Sequence, residues 1–205
     1  MELDKFSLVL ASQSPRRKQL LSLLNIPFEI KTADLDEISE LVVACEIAKD
    51  LAAQKANAVW KKCTDDKRYF LIASDTIVVL DGVLYGKPED REDARRILAK
   101  LSNNTHQVIT GVTFLFKDQD KLVEHSFYDL TDVTFSEITE DLMNSYLDTN
   151  DSLDKAGAYG IQGQSLTFIS RIEGSYSNVV GFPLDKIISE LKKLFGNEWR
   201  TKFKT

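Results

Sequence analysis

The chain has 205 residues, of which 43% are hydrophobic and 28% are charged, and this is the composition of an ordinary globular protein. Its 26 basic and 32 acidic residues give a net charge of −6. That balance argues against a nucleic-acid coat or a binder of anionic membranes, since both need surplus positive charge. The length predicts one domain over residues 1–205.

Sequence patterns typical of secretion, of a membrane span and of a disulfide framework are absent. Cys45 and Cys63 lie far apart and form no CxxC pair, and no basic N-terminal region precedes a long apolar run. The longest apolar runs have about five residues, whereas a membrane span needs roughly 20. We therefore expect a soluble, cytoplasmic protein with no membrane and no nucleic-acid partner.

Apolar runs and helical periods alternate along the chain. Taken in order, these patterns predict a strand over 7–11, a helix over 16–24, a strand over 28–32, a helix over 41–62, a strand over 70–80 that turns back into 83–85, a helix over 94–101, strands over 108–116 and 122–135, a short helix after Thr139, a strand over 167–173 and a last helix from Pro183. Strands that alternate with helices around a central antiparallel hairpin predict an α/β fold with a mixed sheet flanked by helices.

The first polar cluster lies where strand 7–11 gives way to a helix. Ser14 before Pro15 is a favourable helix start, but Arg16 and Arg17 then occupy the first turn, which disfavours cations. A solvated pair explains this, because the cost is only about 0.3–1 kcal/mol for each residue. The other interpretation is a bound phosphate that receives free N–H groups, the hydroxyls of Ser12 and Ser14, and both guanidinium groups.

Lys55 stands in the middle of an apolar helix face. The residues within about 60° of it on a helical projection are Ala44, Ala48, Leu51, Ala52 and Val59. Either the lysine extends past the stripe into water, or its ammonium group has a nearby anionic partner.

Asp75 interrupts the apolar strand over 70–80. A carboxylate there is costly unless it is paired, hydrogen-bonded or bound to a metal. A strand end or bulge at 74–76 is one explanation, and an active-site carboxylate is the other.

Three further segments carry polar residues. Asp34, Asp36 and Glu37 form an acidic loop that is either solvated or binds a metal, and Lys87 lies in a Gly-Lys-Pro turn after the hairpin. The segment over 154–163 has glycines spaced G-x-x-G-x-x-G, which is neither a dinucleotide fingerprint nor a P-loop. It is either a tight structural turn or a place where a nucleobase stacks near Tyr159 while the amide of Gln162 pairs with its edge.

Taken together, these stretches resemble the Maf family of nucleoside triphosphate pyrophosphatases. The matching stretches are LASQSPRR (10–17), the acidic loop that ends at Glu37, the helix with Lys55, SDTIVVLDG (74–82), GKP (86–88), HQVITGV (106–112), LDKAGAYGIQG (153–163) and IEGSYSNVVGFPL (172–184). They follow the family's order over nearly the whole chain. The sequence departs at Ser74 and Ser152, where the family usually has Ala and Pro.

The resemblance implies hydrolysis of the α–β phosphoanhydride with a divalent metal, Mg²⁺ or Mn²⁺. It also implies an elongated α/β fold of two lobes and a cleft, similar to inosine triphosphate pyrophosphatases. The general base carries over to Asp75, and the metal ligands are Glu37 and Asp75. The residues implied to bind phosphate are Ser12, Arg16, Arg17, Lys55 and Lys87.

One subgroup of the family resembles this chain at Arg16, Thr76 and Gln162, and it acts on dTTP and UTP. The resemblance therefore implies these two nucleotides as substrates and these three residues as determinants of specificity. A 7-methyl-GTP pyrophosphatase, a phosphatase that removes the γ-phosphate and a non-catalytic nucleotide-binding module remain alternatives, and a homodimer is left open.

Overall fold

The computed structural model describes residues 5–35, 38–63, 67–119 and 121–204. The helices in these ranges are α1 (Pro15–Ser22), α2 (Ala44–Trp60), α3 (Arg91–Leu101), α4 (Glu140–Leu147), α5 (Tyr176–Val180) and α6 (Leu184–Phe195). The strands are β1 (Ser7–Leu10), β2 (Phe28–Ile30), β3 (Tyr69–Leu80), β4 (Val83–Tyr85), β5 (Thr105–Asp118), β6 (Lys121–Phe135) and β7 (Ile169–Glu173).

The seven strands of the described residues form one mixed sheet in the order β2-β1-β3-β5-β6-β7, with β4 paired to β3. β1 runs parallel to β2 and β3, whereas the pairs from β3 through β7 are antiparallel. The prediction of an α/β fold with a mixed sheet flanked by helices is confirmed.

Helices cover both faces of the middle strands, which explains their unbroken apolar runs. Leu10 packs in a core cluster with Ile187 of α6, on one face of the sheet. Its neighbour Val9 points to the other face and packs in a cluster with Ala56 of α2. Successive residues of β1 therefore bury their side chains against different helices.

The core is divided between the two ends of the long strands. Phe70 and Phe114 belong to the cluster at one end, and Val78 and Phe135 to the cluster at the other, where α3 and α4 pack. Asp75 lies between Phe70 and Val78 on β3. The shape of two lobes with a cleft stays a prediction.

Helix α2 begins three residues later than the apolar pattern predicts. Leu41, Val42 and Val43 are exposed to 49%, 90% and 59%, and Val43 has extended backbone (φ −82°, ψ 122°). The β-branched pair favours extended backbone, so this apolar run precedes the helix instead of starting it.

Helix α5 is absent from the prediction because it has only five residues, too few for a helical period to be visible. It ends at Gly181, whose φ of +100° lies in the left-handed region.

Among the described residues, no helix combines the length and the apolar character needed to cross a membrane. Even α2, with 17 residues, carries charged side chains in its middle, among them Lys49, Asp50 and Lys55.

Candidate active site

Strand β3 has a gap along one of its edges, and Asp75 lies within it. Among the described residues, β1 pairs with β3 only as far as Ile72, and β4 only from Val78 onward. Along the opposite edge, β5 pairs with β3 without interruption from Phe70 to Val79. Asp75 therefore belongs to a continuous strand, and the alternative of a strand end or bulge is wrong.

Lys55 of α2 forms an ion pair with Asp75, from Nζ to Oδ1. The two side chains are only 19% and 12% exposed. Lys55 thus has an anionic partner, and the alternative in which it only extends past the apolar stripe into water is wrong. Loss of either partner would leave the other charge nearly buried, which is costly.

The close approach of α2 to the sheet depends on Gly111. This residue pairs with Asp75 across β3 and β5, so both positions belong to the same face of the sheet. A Cβ atom at Gly111 would lie 2.1 Å from the carbonyl oxygen of Ala48 in α2. Glycine therefore lets α2 lie close enough for Lys55 to reach Asp75.

The guanidinium group of Arg17 occupies the gap beside β3. Its Nη1 donates to the carbonyl oxygen of Ser74 at 2.8 Å, and its Nε donates to that of Gly181 at 3.0 Å. Its Nη2 donates to Oγ1 of Thr76 at 3.2 Å. Arg17 therefore binds the residues on both sides of Asp75 and ties them to the end of α5.

The hydroxyl of Ser12, predicted to bind phosphate, lies at the same place. Ser12 is 7% exposed, and its Oγ accepts from the backbone N–H of Ser14 at 3.2 Å and from Nη1 of Arg17 at 3.5 Å. Both bonds use Ser12 as an acceptor, so its hydroxyl proton remains for another partner.

The hydroxyl of Thr76 is already engaged inside the protein. Thr76 Oγ1 lies 3.0 Å from Oγ1 of Thr110, whose own proton goes to the carbonyl oxygen of Asn178 at 2.9 Å. Because each hydroxyl has a single proton, Thr76 donates to Thr110 while it accepts from Arg17. Thr76 therefore acts on the site through Arg17 and has no proton left for a ligand.

Arg16 links the start of α1 to the glycine-rich segment. Its Nη2 lies 3.7 Å from Oδ2 of Asp154, and Oδ1 of Asp154 lies 2.6 Å from Nζ of Lys155. Partial burial opposes ionisation of Asp154, but the hydrogen bond and charge of Lys155 and the charge of Arg16 hold its pKa below the usual value. Asp154 is therefore the anion between these two cations.

The glycine-rich segment is a tightly packed turn, as one of the two interpretations predicts. Gly157 and Gly163 have φ angles of +69° and +89°. A Cβ atom at Gly157 would lie 2.8 Å from Val78, and one at Gly160 would lie 2.8 Å from the side chain of Lys155. The glycines thus serve the packing of the turn itself.

The other interpretation placed a nucleobase near Tyr159, and the ring of this residue is too deeply buried for a base to stack on it. Tyr159 is only 4% exposed, and its hydroxyl lies 2.7 Å from Nε2 of His106 inside the core. Burial lowers the pKa of His106 to about 4, so its imidazole is neutral near pH 7. The pair joins β5 to the glycine-rich turn and leaves no open ring face.

Lys87 and Gln162 lie at the surface of this region. Gly86, which precedes Lys87, accepts a hydrogen bond from the backbone N–H of Gly157 at 3.0 Å, so the two turns are adjacent. Both side chains are exposed, and neither makes a hydrogen bond or an ion pair within the part of the chain that the structure describes. They remain available to a ligand.

Of the two predicted metal ligands, Glu37 lies outside the described residues and Asp75 within them. In the described ranges no group of three or more His, Cys, Asp and Glu side chains is arranged to hold a metal ion. Mg²⁺ often takes only one or two carboxylates and fills its shell with water and substrate phosphates. The carboxylate of Asp75 therefore fits Mg²⁺ or Mn²⁺ by its donor chemistry.

Sequence reasoning assigned no role to Gly111, Gly181 and Asn178, although all three lie in the stretches that carry the resemblance. A Cβ atom at Gly181 would lie 2.9 Å from Oγ1 of Thr76. Asn178 is fully buried, and its Nδ2 donates to the carbonyl oxygen of Val108 at 2.9 Å. For the close approach of Gly181 to Thr76, the only signal in the sequence is a glycine directly before Phe-Pro.

With this geometry established, comparison with known proteins defines the family. A family model described as Maf-like protein matches residues 7–194. The chain therefore belongs to the Maf family.

The chain is also similar to bacterial proteins named dTTP/UTP pyrophosphatase. It is 41% identical to the one from Bacillus thuringiensis subsp. konkukian over 187 residues, which cover 91% of this chain and 94% of that protein. It is 41% identical to the one from Bacillus cytotoxicus over 186 residues, which cover 90% and 94% respectively.

Proposed function

We propose that this protein hydrolyses nucleoside triphosphates, with dTTP and UTP preferred, to the nucleoside monophosphate and pyrophosphate. The observation that carries this proposal is the ion pair of Asp75 and Lys55 in the gap of β3. The names of its relatives, dTTP/UTP pyrophosphatase, support the same activity.

Cations around the gap can neutralise the negative charge of the triphosphate. A triphosphate carries about four negative charges near neutral pH, and their repulsion hinders an attacking water. Arg16, Lys55 and Lys87 are proposed to bind its phosphate oxygens, together with Arg17 and the hydroxyl of Ser12. Because Arg17 already donates to four protein oxygens, its larger contribution is to hold the strand around Asp75.

Asp75 is proposed as the general base. It accepts a proton from the water that attacks the α-phosphorus while the bond to the leaving pyrophosphate breaks. Lys55 orients the carboxylate through Oδ1, and Oδ2 makes no hydrogen bond to any described residue.

A divalent metal, Mg²⁺ or Mn²⁺, is proposed to be held by Asp75 and Glu37. When bound, it adds positive charge against the phosphate oxygens and the developing charge of the leaving group. The residues of the chain keep their own roles of binding, orientation and proton transfer.

Arg16 and Gln162 are proposed to select the nucleobase, with Thr76 acting through Arg17. The amide of Gln162 can donate to O4 and accept from N3–H of thymine or uracil. A carboxylate at this position could only accept. Because both bases share this edge, dTTP and UTP should be used about equally.

The test is the initial rate of pyrophosphate and orthophosphate release from dTTP, UTP, CTP, GTP, ATP and 7-methyl-GTP, each with Mg²⁺ and with Mn²⁺. We expect pyrophosphate from dTTP and UTP at rates roughly 5- to 150-fold above the others, as unpaired edge groups imply. Preference for 7-methyl-GTP would overturn the specificity. Orthophosphate as the only product, or binding without turnover, would overturn the activity.

A further inference from the structure

Lys155 of the glycine-rich segment is a nearly buried cation to which the proposed reaction assigns no role. Only 7% of its side chain is exposed, whereas the acidic side chains of Asp151 and Asp154 beside it reach into solvent. An ammonium group in such a place is costly unless the chain supplies its partners. The burial of Lys155 therefore has to be explained by its contacts.

The ammonium group of Lys155 is saturated within the chain. Its Nζ donates to the backbone carbonyl oxygen of Asp151, to Oδ1 of the same residue at 2.6 Å and to Oδ1 of Asp154 at 2.6 Å. An ammonium group has three protons, so these three acceptors use them all. Lys155 has no proton left with which to bind a phosphate, and its effect on a ligand has to pass through its neighbours.

The stem of Lys155 packs against Gly160, two residues before Gln162. A Cβ atom at Gly160 would lie 2.8 Å from Cε and 2.9 Å from Cδ of Lys155, and 4.0 Å from the carbonyl oxygen of Gln162. Gly160 thus contacts the stem at a place where no side chain would fit, and it lies beside the backbone of Gln162. Because hydrogen bonds fix the end of the stem, the stem supports this stretch of backbone.

The ammonium group of Lys155 acts on Arg16 through Asp154. Oδ1 of Asp154 accepts from Lys155, whereas its Oδ2 lies 3.7 Å from Nη2 of Arg16. The two oxygens of one carboxylate therefore face two cations. Since the side chain of Asp154 is largely exposed, its orientation depends on these partners more than on packing. Lys155 thus fixes the carboxylate that attracts Arg16.

We propose that Lys155 is a positioning residue for the selection of the nucleobase. Its stem holds the backbone next to Gln162, and its ammonium group holds Asp154 and through it Arg16. This inference rests on the proposed function, in which Arg16 and Gln162 select the base. One buried side chain then orients two determinants of specificity that lie on different elements of the chain.

A positioning role and a role in stability alone predict different kinetics. A contact with the base is made in the bound state and in the transition state alike, so its loss should appear mainly in KM. A purine triphosphate lacks the matching edge and gains little from a well-placed Gln162. Loss of the support should therefore weaken the reaction with dTTP and leave the slow reaction with GTP nearly unchanged. A lysine needed only for stability predicts an equal loss for both nucleotides.

The test is the steady-state kinetics of Lys155→Met with dTTP and with GTP. Methionine keeps the apolar stem and removes the ammonium group. We expect KM for dTTP to rise about tenfold, with kcat for dTTP and kcat/KM for GTP within about threefold of wild type. Lys193→Met is the matched control, because it also takes an ammonium group from a carboxylate, 2.7 Å from Oε1 of the nearly buried Glu190. It should leave the ratio of dTTP to GTP unchanged.

Gly160→Ala tests the same support without removing a charge. It places a methyl group against the fixed stem of Lys155, so the preference for dTTP over GTP should fall by about threefold or more. This variant decides the question if Lys155→Met does not fold. With a wild type that prefers dTTP, an unchanged ratio in the folded variants, or an equal loss for both nucleotides, would overturn this inference alone.

Amide hydrogen exchange of the free protein gives a readout that does not depend on activity. The N–H of Gly157 donates to the carbonyl oxygen of Gly86, and the N–H of Leu166 donates to that of Gly163. Both should exchange about tenfold or more faster in Lys155→Met than in the wild type, and at an unchanged rate in Lys193→Met. A wild type that releases no pyrophosphate would overturn the proposed function, and the exchange would still decide whether Lys155 holds the turn. Unchanged exchange in Lys155→Met would contradict the inference.

Discussion

Arg17 shows how one side chain can shape a site through the residues that flank its central carboxylate. Its guanidinium donates to Ser74 and Thr76, the neighbours of Asp75 on β3, and to Gly181 at the end of α5. The gap in the sheet is thus lined by a fixed cation instead of a strand. This explains how the strand around Asp75 remains ordered where no described strand pairs with that edge.

The ion pair of Lys55 and Asp75 makes a prediction about stability. Lys55→Met removes the ammonium group and leaves a nearly buried carboxylate unpaired, so we expect a loss of about 2 kcal/mol, or about 4–8 °C in Tm. The double variant Lys55→Met, Asp75→Asn removes both charges and should recover most of this loss. Thermal unfolding of the four proteins measures the coupling, and strictly additive changes would show that the two residues do not interact.

The proposed recognition of the base rests on Gln162 and on Arg16, whose Nη2 lies 3.7 Å from Oδ2 of Asp154 in the glycine-rich segment that also contains Gln162. Gln162→Glu, alone or with Arg16→Trp, should lower kcat/KM for dTTP and UTP by roughly 5- to 150-fold. The kcat/KM for 7-methyl-GTP should rise relative to both. Gln119→Glu, in the hairpin between β5 and β6, is the control and should leave kcat/KM for all three nucleotides unchanged. An unchanged ratio of 7-methyl-GTP to dTTP in both variants would remove the basis for this assignment.

At the scale of elements, the site depends on how closely α2 lies on β5. Gly111→Ala would place a methyl group against the backbone of Ala48 and push α2 outward. We expect a loss of about 1–3 kcal/mol in the free energy of unfolding, and a fall in kcat because Lys55 moves away from Asp75. Gly86→Ala, where a Cβ atom would meet nothing within 4 Å, should stay within about 0.5 kcal/mol. Urea unfolding and steady-state kinetics measure both effects, and equal stability of the two variants would contradict the close contact.

The hydrogen bond between His106 of β5 and Tyr159 of the glycine-rich turn predicts that stability depends on pH. The pKa of His106 is about 4 in the fold, below its usual value of about 6.5, because burial favours the neutral imidazole. The contribution of neutral His106 to the free energy of unfolding is therefore fully present above about pH 6.5. It is lost as the pH falls toward 4, since the unfolded chain binds the proton at a higher pH than the folded chain does.

The variant His106→Phe lacks this titration and provides the comparison. Between pH 7 and pH 4.5, the wild type should lose about 2 kcal/mol more stability than the variant, as urea unfolding at each pH can measure. Parallel pH curves for the two proteins would mean that His106 is not held neutral.

At the scale of the molecule, the sequence predicts the elements that repeat a clear pattern. The apolar run of β3 and the helical period of α3 are long enough to be recognised, whereas α5, with five residues, is too short to show a period. The start of α2 is misplaced because Val42 and Val43 continue the apolar run outside the helix.

The residues of the site also fall into those that the sequence predicts and those that it does not. Lys55 and Asp75 could be found because each is a charge in an apolar pattern, and their pairing explains both anomalies. The sequence left open whether a nucleobase stacks near Tyr159, because it does not show that the hydroxyl of Tyr159 lies 2.7 Å from Nε2 of His106 inside the fold. Contacts such as that of Gly181 with Thr76 depend on the tertiary path of the chain, and a single sequence carries little trace of them.

The central claim is that Asp75 accepts the proton in hydrolysis, and the kinetics of Asp75→Asn test it most directly. Pyrophosphate release from dTTP should fall by roughly 10²- to 10⁴-fold in kcat, while the Kd for dTTP stays within about threefold of wild type. Asp81→Asn, in the turn that follows the same strand, is the matched control and should keep its full rate. A rate for Asp75→Asn within about threefold of the wild type would contradict the account.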